Sequence, residues 1–238
     1  MILFVHIPKT AGTSFRLAAE SYFGKDNVCY DYGLDNEETS SLVKEYIYTN
    51  EDRSLFNTKV RERGVKFISG HVHLRKFIVH SGCQNTVTVL REPVQRIVSE
   101  YMHSVRHNCY KGDFESFYKK PRFINRQSKI LQLMHLAPVG VIGTTERYND
   151  FLQLGNDRYG LKMQRLEVNI GMSQVSERYE MTAEDEVQLR KLNASDILLY
   201  QQCCELFETR FSLYQQGLPY VHGKIGVATT KAVFGWAW

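Results

Sequence analysis

The sequence predicts an α/β fold: a central parallel sheet with flanking helices, a P-loop-like anion-binding loop after the first strand, and a helical C-terminal part. Three observations carry that expectation. Residues 2–7 form an apolar, β-branched run of the fully buried kind, followed at once by small residues and then a helical period. Residues 86–90 repeat the apolar run and stop at Arg91, Glu92 and Pro93. From Thr182 onward, two helical patterns follow each other with no strand between them.

Pro8 ends the first strand, and Ala11, Gly12, Thr13 and Ser14 form a tight loop. Phe15, Leu17, Ala18 and Tyr22 then fall at helical spacing up to Gly24. Strand, loop and helix in this order open a parallel sheet. Residues 25–64 are polar and read as loop with one or two surface helices, their apolar face marked by Leu42, Val43, Tyr46 and Ile47. A second strand is expected at 65–69, closed by Gly70, and a third at 86–90. Pro93 suits the first turn of the next helix, which continues through Ile97, Val98, Tyr101 and Met102. Residues 139–142 read as a fourth strand and 151–161 as a helix. Thr182, Glu184 and Asp185 give a capping-box start to two helices, about 183–192 and 195–214, that divide near Asn193. The tail from Gly217 is Gly-rich, ends in Trp236 and Trp238, and has no firm reading. No repeat or low-complexity segment occurs, so residues 1–238 are expected to form one domain.

Hydrophobic residues make up 43% of the chain and charged residues 24%, the balance of a globular protein. The net charge of +4 is too small and too evenly spread for a nucleic-acid-binding stripe. It suits an anionic ligand, and solvated lysines explain it equally. The five cysteines (Cys29, Cys83, Cys109, Cys203 and Cys204) are odd in number and form no CxxC, which reads as reduced thiols. The opening apolar run is too short for a signal peptide, and no stretch reaches the roughly 18 apolar residues of a membrane span. A cytoplasmic location is therefore expected, with the luminal part of a trimmed membrane-anchored enzyme as the alternative. Nothing in the sequence indicates an oligomeric state.

The sharpest motif runs from Phe4 to Phe15, FVHIPKTAGTSF. A buried strand delivers the chain to small residues whose amides can converge, and the next helix points its positive end at the same spot. Lys9 adds a charge, and Thr10, Thr13 and Ser14 add hydroxyls. A plain strand-to-helix turn with a Ser/Thr cap would have a similar composition. A nucleotide-kinase loop is excluded: its lysine follows the second glycine of GxxxxGK[ST], whereas Lys9 precedes Gly12 by three positions.

Lys9-Thr10-Ala11-Gly12-Thr13-Ser14 in this setting resembles the 5′-phosphosulfate loop of sulfotransferases, above all the carbohydrate O-sulfotransferases of the heparan sulfate 2-O and 6-O type. The resemblance implies 3′-phosphoadenosine 5′-phosphosulfate (PAPS) as donor, 3′-phosphoadenosine 5′-phosphate (PAP) as product, and no metal. It assigns Lys9 to the sulfate and leaving phosphate, and Thr10, Ala11, Gly12, Thr13 and Ser14 to the 5′-phosphate. A second signature of the family, an arginine at a strand end and a serine eight residues on, is matched by Arg91 and Ser99. Arg91 leaves the carboxyl end of a strand, where open sheets bind ligands, and Ser99 lies about two helical turns further. A guanidinium fork binds two phosphate oxygens at once. The resemblance gives this pair the 3′-phosphate. Arg96 stays open between supporting the site and a helix ion pair with Glu92 or Glu100. Looser family matches lie at 125–127, 142–147 and 192–200.

Transfer to a hydroxyl needs a base, and histidine near neutral pKa suits that task. His71, in Ser-Gly-His-Val-His, matches the Gly-His-Val setting of the 2-O enzymes' catalytic histidine; Ser69 stands where they carry a further histidine. His73 and His6 are the alternatives. The pairs His71/His73 and His103/His107 lack the additional spaced ligands of a zinc site. The expected partner is a small-molecule or glycan acceptor. Residues 25–64 and 108–135 are expected to wall its cleft, with Arg53, Arg61, Arg63, Tyr110, Tyr118, Arg122 and Arg126 suited either to a saccharide or to plain surface. The competing readings are a nucleotide-dependent phosphoryl transferase and a non-catalytic nucleotide-binding module.

Overall fold

The computed structural model describes residues 1–166 and 181–220; most of the Gly-rich tail, with Trp236 and Trp238, lies outside them. Five strands form one all-parallel sheet in the order β2-β3-β1-β4-β5. They are β1 Ile2–Val5, β2 Val28–Asp31, β3 Phe67–Gly70, β4 Thr86–Leu90 and β5 Val141–Thr144. Their near-continuous apolar character fits a sheet covered on both faces. Successive side chains alternate between two cores. Leu3, Val5, Ile68, Leu90 and Ile142 face one, with Leu42, Phe77 and Leu199. Ile2, Phe4, Phe67, Val87 and Val141 face the other, with Phe15, Ala19, Phe151 and Phe207.

The helices are α1 Gly12–Phe23, α2 Ser41–Val43 (running into a π-turn, Lys44–Thr49), α3 Arg53–Glu62, α4 Ile78–Ser81 and α5 Pro93–His107. Then come α6 Phe114–Tyr118, α7 Arg126–Leu131, α8 Tyr148–Tyr159, α9 Ala183–Leu192 and α10 Ala194–Gln215. Gly24, at φ 81°, closes α1, and the Thr182 hydroxyl accepts from the Asp185 amide at 3.0 Å to start α9. Among the described residues, no helix is long and apolar enough to cross a membrane, and all five cysteines are free thiols.

Several bounds differ from expectation: β1 ends at Val5 rather than at Ile7, and α8 runs Tyr148–Tyr159 rather than 151–161. The polar stretch 25–64 contains an edge strand, β2, whose four residues are too few to show a period. β3 begins at Phe67 rather than at 65. β5 begins at Val141 rather than at 139: the Val139 amide closes a turn onto the Leu136 carbonyl at 2.9 Å, and the Gly140 amide donates to the Cys83 carbonyl at 2.9 Å.

Strand order fixes where a ligand can sit. The chain leaves β1 toward the β2–β3 side, while β4 lies on β1's other side and leads on to β5. The carboxyl ends of β1 and β4 therefore flank the topological switch point, the crevice where open parallel sheets bind ligands.

Candidate active site

The loop leaving β1 holds Lys9 at φ 69° and Ala11 at φ 60°, both left-handed. Each such non-glycine residue costs on the order of 1–3 kcal/mol, strain that clusters at functional sites. Ala11 is the N-cap of α1, has no side chain able to cap, and leaves the helix without an acidic residue in its first turn. Among the described residues, no acceptor meets the amides of Ala11, Gly12 or Thr13, while the Thr10 amide closes a turn onto Ile7. These free donors and the helix's positive end form a concavity fit for an anion. Thr10 departs from expectation as a hydroxyl donor. Its side chain is buried and donates to the Ile7 carbonyl at 2.9 Å, which closes the loop on itself. Thr13 is exposed and Ser14 half-buried.

Arg91 follows β4 and reaches across, its Nη1 3.4 Å from the Lys9 carbonyl oxygen. Its backbone is clamped by the fully buried Gln127: the Arg91 amide donates to Oε1 at 3.1 Å, and Nε2 donates to the Arg91 carbonyl at 2.9 Å. Withdrawal from water lowers the pKa of Lys9; Glu100 opposes this, and Arg91 and Arg106 add to it. Ser99 sits half-buried on α5, its hydroxyl without a partner among the described residues.

His71 follows β3, on the other side of β1. Its amide donates to the Asp31 carbonyl at 3.1 Å. Its ring meets His6 edge-on, centroids 4.4 Å apart, and Tyr32 edge-on at 4.9 Å. The Tyr32 hydroxyl and His6 Nδ1 share a hydrogen bond of 3.3 Å. Arg16 lies over the Tyr32 ring, 5.6 Å from its centroid, and pairs with Glu38 at 3.0 Å. The His71 residue keeps an open face to solvent while the protein around its ring excludes bulk water. That desolvation pulls its pKa down to about 4, Arg126 adding to the fall and Glu100 opposing it. His6, 6% exposed, is held well below the ordinary histidine range by burial first and His71 second. His73 turns away, its Nδ1 bonded to the Lys129 carbonyl at 2.8 Å.

The structure thus brings Lys9 to Ser14, Arg91, His71 and His6 to one edge of the sheet. It separates others from that edge. Arg61 and Arg63 end α3 just before β3 begins, at the opposite edge. Tyr118 is fully buried and bonds Asp185 at 2.9 Å, so it walls no cleft. Arg96 is buried in an ion pair with Glu100, which also holds Arg126, and Arg96 Nη2 donates to the Phe123 carbonyl at 3.2 Å. His103 and His107 lie 4.7 Å apart. Among the described residues, no three His, Cys, Asp or Glu side chains converge as a metal-ligand cluster. Arg16, Tyr32 and Gln127 belong to the site, and sequence reasoning gave none of them a role. Arg16 stands one turn beyond Gly12, a usable signal; Tyr32 depends on β2, which has none. Two further grooves, of about 660 and 420 Å³, lie along α8 and between residues 135–137 and α10, apart from these motifs.

The model of the sulfotransferase family matches residues 1–170, which include all five strands and both motifs. No curated protein matches the chain.

Proposed function

The chain belongs to the sulfotransferase family, and from that premise we propose that it moves a sulfuryl group from PAPS to a hydroxyl, with a saccharide as the acceptor. One observation carries the reading. The β1–α1 loop keeps three amides and a helix end free at the switch point, and Arg91 meets the backbone of Lys9 there. The residues suit the donor: the amides of residues 11–13 with the Ser14 hydroxyl for the 5′-phosphate, and Arg91 with Ser99 for the 3′-phosphate.

PAPS supplies the sulfuryl group, and PAP is the leaving product. Lys9, withdrawn from water, meets the charge that gathers on the leaving phosphate as the bond to sulfur breaks, where a fixed cation counts most. His71 takes the acceptor's proton as the new S–O bond forms. His71 combines an open face with a ring that burial holds neutral at physiological pH. His6 is buried against Gly12, and the Nδ1 of His73 is committed to Lys129. Tyr32 and His6 meet the His71 ring edge-on and hold its plane, where Ser69 stands in place of the further histidine of the enzymes this loop resembles. The exposed faces of Arg122 and Arg126 remain available to a saccharide.

Calorimetry tests the donor reading. PAP is expected to bind more tightly than ADP or AMP, and Arg91→Ala to lose about 1.5–3 kcal/mol of that preference, the worth of a charge-assisted contact. Equal affinity for all three nucleotides would sink it.

A further inference from the structure

We propose that Gln127 and Asp196 are positioning residues: they aim Arg91, and through it set the preference for a nucleotide carrying a 3′-phosphate. The inference rests on the reading of Arg91 given above and extends it to groups outside the matched span, since Asp196 lies on α10.

The argument starts where β4 stops. Arg91 is the first residue beyond the ladder, so its amide and carbonyl have lost their strand partners. The Gln127 carboxamide replaces them, accepting from the one at 3.1 Å and donating to the other at 2.9 Å. Two such bonds hold both position and tilt of the Arg91 peptide, which is what directs a long side chain. Gln127 does this from full burial, so its own backbone must be fixed. Asp196 fixes it. The Gln127 amide donates to Asp196 Oδ2 at 3.1 Å, while the Ser128 amide and hydroxyl donate to Oδ1 at 2.8 and 2.6 Å. The carboxylate is itself fully buried. Isolation there would be unfavourable without such donors, so its location is tied to the start of α7. A second staple runs beside it. The Asn125 amide donates to the Asn193 Oδ1 at 2.8 Å, and the Asp196 amide donates to the Asn125 Oδ1 at 3.1 Å. A continuous chain of hydrogen bonds therefore runs from the α9–α10 junction to Arg91 and beyond: Asp196 to Gln127, Gln127 to Arg91, and Arg91 to the Lys9 carbonyl at 3.4 Å. Apolar packing of α7 would set its distance from the sheet, but it would not orient the carboxamide.

The test is the ratio of PAP to AMP affinity, measured by calorimetry on the full chain, with melting temperatures recorded alongside. Gln127→Ala, Asp196→Ala and Asp196→Asn are each expected to cut the ratio roughly fivefold or more, a part of what loss of the charge-assisted Arg91 contact would bring. Asp196→Asn keeps size and removes the charge. It decides the matter if the alanine variant does not fold. Leu199→Ala, on the same helix and buried in the core, serves as the destabilised control: it should lower the melting temperature and keep the ratio. An unaltered ratio in Gln127→Ala and Asp196→Asn, with the ratio lost in Arg91→Ala, overturns the positioning role and leaves the reading of Arg91 standing. An unaltered ratio in Arg91→Ala removes both.

Discussion

His71 shows what a few neighbours do to one side chain. A free imidazole near pKa 6.5 is partly protonated at neutral pH and so partly unable to accept a proton. Here desolvation, with Arg126, Arg16 and Lys9 nearby, lowers the value to about 4, against the pull of Glu100. The ring is thus neutral across the physiological range, a state suited to a base. In an NMR titration of the free protein, the His71 ring should titrate near 4, and PAP should raise that value because phosphate charge favours imidazolium. His71→Ala should leave PAP affinity nearly unchanged and lower turnover by roughly 10²–10⁴, the usual worth of a general base. A His71 ring titrating near 6.5, or turnover kept in the variant, would remove it from that role. The residue itself was legible, because Gly-His-Val follows a readable strand. Its environment was not: Tyr32 comes from the unread β2, and Arg16 reaches the cluster only through the packing of α1.

The β1–α1 unit was the clearest element in the sequence, and the structure adds the reason for one of its residues. Gly12 opens α1 beneath the His6 ring, and a Cβ there would stand 2.1 Å from Cδ2 and 2.5 Å from Nε2. That ring cannot swing aside easily: it is buried, stacks on Phe4 at 5.6 Å and meets His71 at 4.4 Å. Gly12→Ala should therefore push the loop or the ring, costing about 1–3 kcal/mol as overpacking does, and should weaken PAP binding because the free amides move with the loop. Thermal melting and calorimetry together check this; an unchanged melting point with unchanged affinity would mean that the loop yields without consequence. Elements with long or sharply bounded patterns, such as β1, β4, α5 and the last two helices, were legible for the same reason as this unit. β2 is four residues at a sheet edge between polar segments, and before β5 the Gly140 amide bonds Cys83, 57 residues earlier in the chain, a contact no local pattern encodes.

At the scale of the whole molecule, pairing of β1 with β4 brings together two motifs 82 residues apart, and the sequence carries no statement of strand order. The same assembly carries a cost in acid. Burial lowers the pKa of His6, His71, His80 and His103 in the fold, whereas in the unfolded chain each titrates near 6.5. Below that value the unfolded state binds protons that the folded state refuses, so the stability these groups contribute is complete above about pH 6.5 and is lost progressively as pH falls. For His71 the loss should level off below about 4, and the lowered pKa of the buried His6 adds a loss in the same direction. The melting temperature of the ligand-free protein should fall through this window, before most carboxylates titrate. His6→Asn separates this effect from general acid destabilisation. Asparagine keeps a polar group near the Nδ1 that meets Tyr32 and takes up no proton in this range. At pH 7.5 the variant should melt below the unaltered protein because packing against Phe4 and Gly12 is lost. As pH falls toward 4 the gap should close, since only the unaltered protein carries the penalty of keeping His6 neutral. A gap that stays constant from pH 7.5 to 4 would show that His6 takes up its proton in the folded state as readily as in the unfolded one.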